Sequence, residues 1–472
     1  MQRVILYIHV HTYLQMNFIN DQLKGVTMSH PITYLSLDFG TSAVKAAVIT
    51  EEGDILSHAA CDYPYLLLPG EKVELSPEKL FDALWSAAAR LDETLRSQVE
   101  WVCYDTFSPS PVFMKKDGSL AYPNIITHLD RRSREQSDYI DKLLGKDHYM
   151  NLSGIYPFPG GCSAMTFIWF LQHMPEVYKE TAYIGHLTSY IHKAFTGEWM
   201  IDLVNASMTG LYHTITQAGW SPELLDSFGL SESLFPPIHL PGTRLGSLLP
   251  GIADKLGVPS GIPVAVGTND VAAAQMGAKN KLPGDIMNTA GSSEMVGILT
   301  DTPRVRPDYY LRNSALPGIW QIYSTTAGGF AVDWFYQQFC TEMSRERFFQ
   351  TFVPNAIRHY LHDPSVTFDP YLTGDRQSLE KKAAAWHGLT LGTTKAQMFT
   401  AMLRSMQMVL KKTLDEAALI QNLNHTIKVS GGMATTAYLE LKADCIPGFD
   451  FSVMDDCPIR GNMELVKYYI QP

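Results

Sequence analysis

The sequence predicts an α/β protein made of two copies of one domain, with a cleft between them. Three observations carry this reading. Strand-like apolar runs alternate with amphipathic helical stretches, the pattern of a sheet covered by helices. A strand, glycine turn and strand at 32–49 (ITYLSLDFGTSAVKAAVI) returns at 285–299 (DIMNTAGSSEMVGIL), so that Gly291 aligns with Gly40, and Ser292 and Ser293 align with Thr41 and Ser42. A motif repeated at that distance points to domain duplication. A third short strand, 427–432 (IKVSGG), also ends in glycines.

The hairpin at 32–49 is followed by an apolar run at 55–63 after a Glu-Glu-Gly-Asp turn, so the first domain opens with an antiparallel meander. Residues 78–98 put Leu80, Leu84, Ala87, Ala88, Leu91 and Leu95 on one helical face. Short apolar runs follow at 99–105 and 118–126, then helical stretches at 131–144 and 181–195. A strand at 262–266 leads through Gly267-Thr268-Asn269-Asp270 into a helix at 271–278. A long helix at 394–420 carries Phe399, Met402, Leu403, Met406, Leu410, Leu414 and Ala417 on its apolar face and precedes the third glycine turn. The domains fall at 28–280 and 281–472. Residues 1–27 read as an upstream extension, because Met28 opens the first clear strand patterning.

Composition narrows the function. The 472 residues are 46% hydrophobic, 18% charged and 11% aromatic, which fits packed domains and excludes a disordered, collagenous or coiled-coil chain. Lys plus Arg number 37 against 48 Asp plus Glu, a net charge of −11. That balance argues against an electrostatic grip on nucleic acid or anionic lipid, so any phosphate must be bound locally. Six cysteines without a C-x-x-C pair spell neither a disulfide framework nor a zinc site, and fit a reducing cytoplasm. The apolar run near the start is interrupted by His9 and His11, unlike a signal peptide, and no run approaches the ~20 apolar residues that cross a bilayer.

A turn of Gly, Thr and Ser gathers backbone N–H groups and hydroxyls at one point, and such nests bind phosphate without net positive charge. In Asp38-Phe39-Gly40-Thr41-Ser42 the acid ahead of the turn could hold Mg²⁺ directly or through water, with Lys45 adding a point charge. Alternatively, Asp38 bonds the turn amides. Two facing turns plus Gly431-Gly432 favour a nucleotide cleft. Asp270 sits at the carboxyl end of a strand, where α/β folds place chemistry, and could accept a hydroxyl proton during phosphoryl transfer. It could equally cap the helix that follows; the two roles are compatible.

The chain resembles the FGGY carbohydrate kinases, of the actin-like ATPase superfamily with two RNase H-like domains, from about residue 28 almost to the end. The resemblance rests on LDFGTSAVKAAV (37–48), THLDRR (127–132), VGTNDVAAAQMGA (266–278), NTAGSSE (288–294), PYLTGDR (370–376), VSGGM (429–433) and KAD (442–444). It implies ATP-dependent phosphorylation of a small sugar or polyol, a ketopentose such as xylulose foremost, with Mg²⁺. It implies no nucleic-acid or membrane partner and leaves a homodimer open. By the same carry-over Asp270 is the base and joins Asp38 at the metal. Gly40, Thr41, Ser42, Lys45, Thr289, Gly291 and Ser292 line the phosphates, and Gly431, Gly432 and Met433 lie against adenosine. The acceptor meets Asp105, Thr106, His128, Asp130, Arg131 and Asn269. Alternatives are another acceptor such as glycerol or a deoxysugar, or a non-catalytic nucleotide-binding regulator of the same fold.

Four departures stand out. Trp near His128 is missing, Lys279 stands where a glycine is usual, and Met433 where a small residue is usual. RGNMELVKYYIQP (460–472) replaces a glycine- and alanine-rich helix. The last departure predicts an apolar surface behind Gly431 and Gly432 that lacks part of its cover, and weak adenine binding.

Overall fold

The computed structural model describes residues 32–158, 160–372, 374 and 382–470. The extension at 1–27, and Thr373, Asp375 and Arg376 of the PYLTGDR segment, lie outside the described residues.

In the first domain β1 (Thr33–Phe39), β2 (Ala43–Thr50) and β3 (Ile55–Asp62) form the expected antiparallel meander. Helix α1 (Pro77–Ala89) starts at Ser76, whose side chain accepts from the Lys79 amide. The helix expected over 78–98 stops here, because Asp92 caps a separate turn, Glu93–Arg96, accepting from the Leu95 amide at 2.9 Å. Strand β4 (Trp101–Thr106) runs parallel to β1. The helix expected over 181–195 is also divided: Tyr183–His186 pairs antiparallel with Pro111–Met114, and only Leu187–Thr196 is helical. The domain continues through α2 (Leu203–Met208), β5 (Arg244–Ser247), β6 (Pro263–Ala265) and α3 (Asp270–Gly277). Its sheet runs β5-β6-β4-β1-β2-β3, with the two-residue strand Thr268–Asn269 also on β4.

The second domain repeats this plan with β7 (Ile286–Ala290), β8 (Glu294–Thr300), β9 (Tyr310–Asn313), β10 (Trp320–Thr326), α4 (Lys395–Ala418), β11 (Thr426–Ser430), α5 (Thr436–Cys445) and β12 (Asp450–Val453). Its sheet runs β9-β10-β8-β7-β11-β12. Strand β7 pairs antiparallel with β8 and parallel with β11, as β1 does with β2 and β4. Order and direction therefore repeat over five strands, with β5 and β9 added at opposite edges, as the echoed glycine turn suggested. Helix α4 opens with a reciprocal capping box between Thr394 and Gln397 and buries its apolar stripe against the sheet, which is what its spacing requires.

Helix α6 (Cys457–Ile470) follows β12 and returns to the first domain. Its Ile459, Met463 and Val466 pack with Tyr34, Ile49, Cys103 and Ala265. It also crosses α3 at a pair of glycines: a Cβ on Gly277 would lie 1.9 Å from the Cys457 carbonyl oxygen, and one on Gly461 1.7 Å from that of Ala273. Only a residue without a side chain permits that approach. RGNMELVKYYI completes a helix whose Gly461, Asn462, Met463, Leu465 and Val466 are buried, packed on the first domain and on α3. A second tie between the domains runs through β9 and β10. The Leu311 amide donates to Gly154 O at 2.9 Å, the Asn313 amide to Ser207 Oγ at 3.2 Å, and the Trp320 indole to Thr214 O at 2.6 Å.

No helix among the described residues is long and apolar enough to cross a membrane. All six cysteines are free thiols, and all but Cys61 are buried.

Candidate functional site

A cavity of about 770 Å³ opens between the domains, a volume suited to small molecules. Both sheets deliver their first hairpin turn to it. At the end of β1, Asp38 is 2% exposed and its Oδ2 accepts from Lys45 Nζ at 2.9 Å. The two are register partners on β1 and β2, so the hairpin itself sets their contact, and the neighbouring carboxylate raises the lysine above its usual range. Gly40 closes the turn through its amide to Ala43 O, 3.1 Å. Across the cavity Gly291 does the same to Ser293 O at 3.2 Å, while its own carbonyl accepts from Gly329 N at 2.9 Å. Gly431 has φ +116°, and a Cβ there would lie 2.4 Å from Ala290 O, so the third turn leans on the second. Asp38, Gly40, Thr41, Ser42, Lys45, Thr289, Gly291, Ser292, Gly431 and Gly432 all line the cavity. Met433 does not; it turns toward the core of its own domain.

Asp270 is the first residue of α3. The helix is capped by Asn269, whose Oδ1 accepts from Val271 N at 3.1 Å and Ala272 N at 3.3 Å. Asp270 is thus not the cap, as its neighbour leaves it free to face the cavity. Its Oδ1 is held by Val271 N and Asn269 Nδ2, each at 2.8 Å. Burial, then the Asp38 charge, push this carboxyl up to about 7, against the Val271 amide, Arg312 and Lys45.

The acceptor-side expectations are partly corrected. His128 and Asn269 line the cavity; Asp105, Thr106, Asp130 and Arg131 do not. Asp105 and Thr106 lie in the middle of the sheet at 0% exposure. Asp105 Oδ2 accepts from Asn462 Nδ2 of α6 at 2.6 Å, and burial followed by the charges of Asp38 and Asp270 push it far up. The chain reaches the cavity just beyond, at Phe107, Ser108 and Pro109. Asp130 is consumed by structure: it accepts from Val73 N at 2.8 Å and pairs with Arg132, which also bonds Glu74 in a buried network with Tyr122 and Asn124. Arg131 donates to the backbone oxygens of His128 and Asp130 at 2.7 and 2.9 Å, fixing the loop that presents His128.

Sequence reasoning missed Arg312 on β9 with Met208, Met295 and Tyr323 around it, and Phe158, Asp455 and Asp456, all lining the same cavity. Arg312 is 3% exposed. Its one signal was a lone cation inside an apolar run, YYLRNSAL at 309–316.

The N-terminal domain model of the FGGY family of carbohydrate kinases matches residues 33–277, and the C-terminal domain model of that family matches residues 286–461. The chain belongs to the FGGY family of carbohydrate kinases. It is 24% identical over 425 residues to the xylulose kinase of Bacillus subtilis (strain 168), covering 87% of this chain and 82% of that protein. It is also 24% identical over 438 residues to the L-fuculokinase of Salmonella typhi, covering 89% of each. Among solved structures, that of ligand-bound xylulose kinase from Lactobacillus acidophilus superposes with a TM-score of 0.81 at 19% identity, covering 93% of this chain and 89% of that one. The relatives of this FGGY kinase thus carry different acceptor names, while the fold is common to them.

Proposed function

We propose that this carbohydrate kinase transfers the γ-phosphoryl group of ATP to a hydroxyl of a small sugar or polyol, with Asp270 as the base. One observation carries the reading: Asp270, fixed at a helix start, shares a cavity with glycine turns contributed by both domains. The turn amides of Gly40–Ser42 and Gly291–Ser293 suit phosphate oxygens, and Gly431 and Gly432 suit adenosine. A carboxyl poised near neutrality is matched to taking a hydroxyl proton. As the acceptor oxygen bonds phosphorus, its proton passes to Asp270 and the bond to the ADP oxygen breaks, so charge and atoms balance. Closure of the domains would keep water from competing as acceptor.

For Mg²⁺ the fit rests on carboxylates. Among the described residues no group of three or more His, Cys, Asp or Glu side chains could hold a metal. A magnesium ion commonly takes only one or two carboxylates beside substrate phosphates, and Asp38 and Asp270 would supply them. The bound ion would neutralise charge on the β- and γ-phosphate oxygens.

A ketopentose such as xylulose is the first acceptor of this reading, since kinases of that name are among the relatives. The test is a screen of sugars and polyols for ATP consumption, with the product identified by mass spectrometry. A phosphorylated product formed only with acceptor present is expected. ATP binding without any phosphorylated product across neutral and acidic acceptors would point to the non-catalytic alternative.

A further inference from the structure

Arg312 is a buried cation without an ion pair among the described residues. Its Nε donates to Gln321 Oε1 at 2.7 Å, which orients the guanidinium. Its terminal nitrogens meet only thioethers, Nη1 at 3.6 Å from Met208 Sδ and Nη2 at 3.8 Å from Met295 Sδ, and the group lies over the Tyr323 ring, 4.6 Å from its centroid. Arg312 forms no ion pair among the described residues, although it is 3% exposed. Sulfur and a ring face are weak partners, and a buried guanidinium without a carboxylate or phosphate is costly. The site is therefore built for an anion that arrives with a ligand.

Its position says which ligand. Met208 comes from the first domain and Arg312 from the second, so the guanidinium sits where the two walls meet, and its charge is felt by the Asp270 carboxyl. The third glycine turn, assigned to adenosine, is not among its contacts. Met208, Met295 and Arg312 line the same cavity as Asp270 and His128. A guanidinium whose own contacts are Gln321, two thioethers and a ring, with no second cation among them, matches a monoanion, and its planar fork fits a carboxylate through two parallel hydrogen bonds.

We infer that Arg312 binds a carboxylate of the acceptor, so that the preferred acceptor is a polyhydroxy acid of the aldonate type rather than a neutral ketopentose. This rests on the kinase reading of the same cavity and replaces the neutral ketopentose named there as first acceptor by an acid. The hydroxyls of such an acid would face Asp270 and His128 while its carboxylate fills the gap between the two thioethers.

The test is calorimetric titration of the full chain with ADP and Mg²⁺ present. D-xylonate and D-gluconate are compared with the neutral D-xylulose and xylitol, and inorganic phosphate serves as the anion control. An aldonate should bind at least about 10-fold more tightly than its neutral counterpart. Arg312→Gln should weaken that binding about 10- to 100-fold, the usual range for a charged hydrogen bond, and leave ADP affinity within about twofold. Arg312→Met replaces the cation with a side chain suited to its thioether and aromatic neighbours. It should abolish the acid preference and raise the thermal midpoint of the ligand-free protein. Neutral acceptors binding as well as acids in the native chain would overturn the inference. So would an Arg312→Gln variant that loses nucleotide or phosphate binding but not acid binding, or an Arg312→Met variant with a lowered midpoint and unchanged acid affinity. Absence of ADP binding would remove the kinase reading separately; the acid preference is then judged from the same titrations without nucleotide.

Discussion

Replacing Asp270 by Asn should inactivate the enzyme and stabilise it at once. Asn keeps the size and the hydrogen bonds to Val271 N but cannot take a proton, so turnover should fall about 10²- to 10⁴-fold with ATP affinity little changed. The stability effect follows from the cavity. Burial and Asp38 move the Asp270 carboxyl from 3.8 to about 7. At about 1.4 kcal/mol per pH unit that corresponds to roughly 4 kcal/mol as an upper bound. An acid whose folded-state pKa lies above its unfolded value adds stability below the unfolded value and loses it as pH climbs through the folded one. The native chain therefore loses stability between about pH 4 and pH 7 and holds the loss at higher pH, whereas the Asn variant does not titrate there. Urea denaturation should show the variant more stable by about 2–4 kcal/mol at pH 8 and by less than about 1 kcal/mol near pH 4.5. In the native enzyme kcat/KM should rise with pH through about 7 as the base ionises. An active Asn variant, or a stability gain equal at both pH values, would refute this account.

Three further outcomes are expected. Gly291→Val should fold normally, because a Cβ there meets only Ser293 O at 3.7 Å, yet weaken ATP binding about 10-fold or more by calorimetry, as its side chain displaces phosphate from the turn amides; unchanged affinity would take that turn out of the site. Gly461→Ala should lower stability by about 1–3 kcal/mol, the usual cost of overpacking, because its methyl group overlaps the Ala273 carbonyl. Lys279 lies just past α3 at φ +58°, so Lys279→Gly should raise stability by about 0.5–1 kcal/mol in urea melts by relieving a left-handed backbone.

The glycine turns were legible because backbone amides bind phosphate, and the residues that permit such turns are few and recognisable. The sheet plan followed from the repeat of that turn. What stayed hidden depends on contacts across long stretches of chain. Asp130 looked like a ligand for hydroxyls until Arg132 and Glu74 were seen to occupy it. Asp105 and Thr106 lie on the buried strand just ahead of the cavity, which the chain reaches with Phe107 and Ser108. Residues 181–195 have helical composition, but pairing with Pro111–Met114 draws the first part into a strand. Arg312 has no motif around it; its meaning comes from Met208 and Met295, 104 and 17 residues away.

The return of α6 to the first domain also bears on the order in which the molecule is assembled on the ribosome. Tyr34, Ile49, Cys103 and Ala265 are synthesised early, yet the layer they form with Ile459, Met463 and Val466 waits for a helix translated after the whole second domain. Until then an apolar sheet face has no partner, and the N-terminal domain cannot complete its core ahead of the other as sequential domains usually do. The nascent chain should therefore expose that face throughout synthesis of the second domain, and the two halves should reach the native state in a single late step.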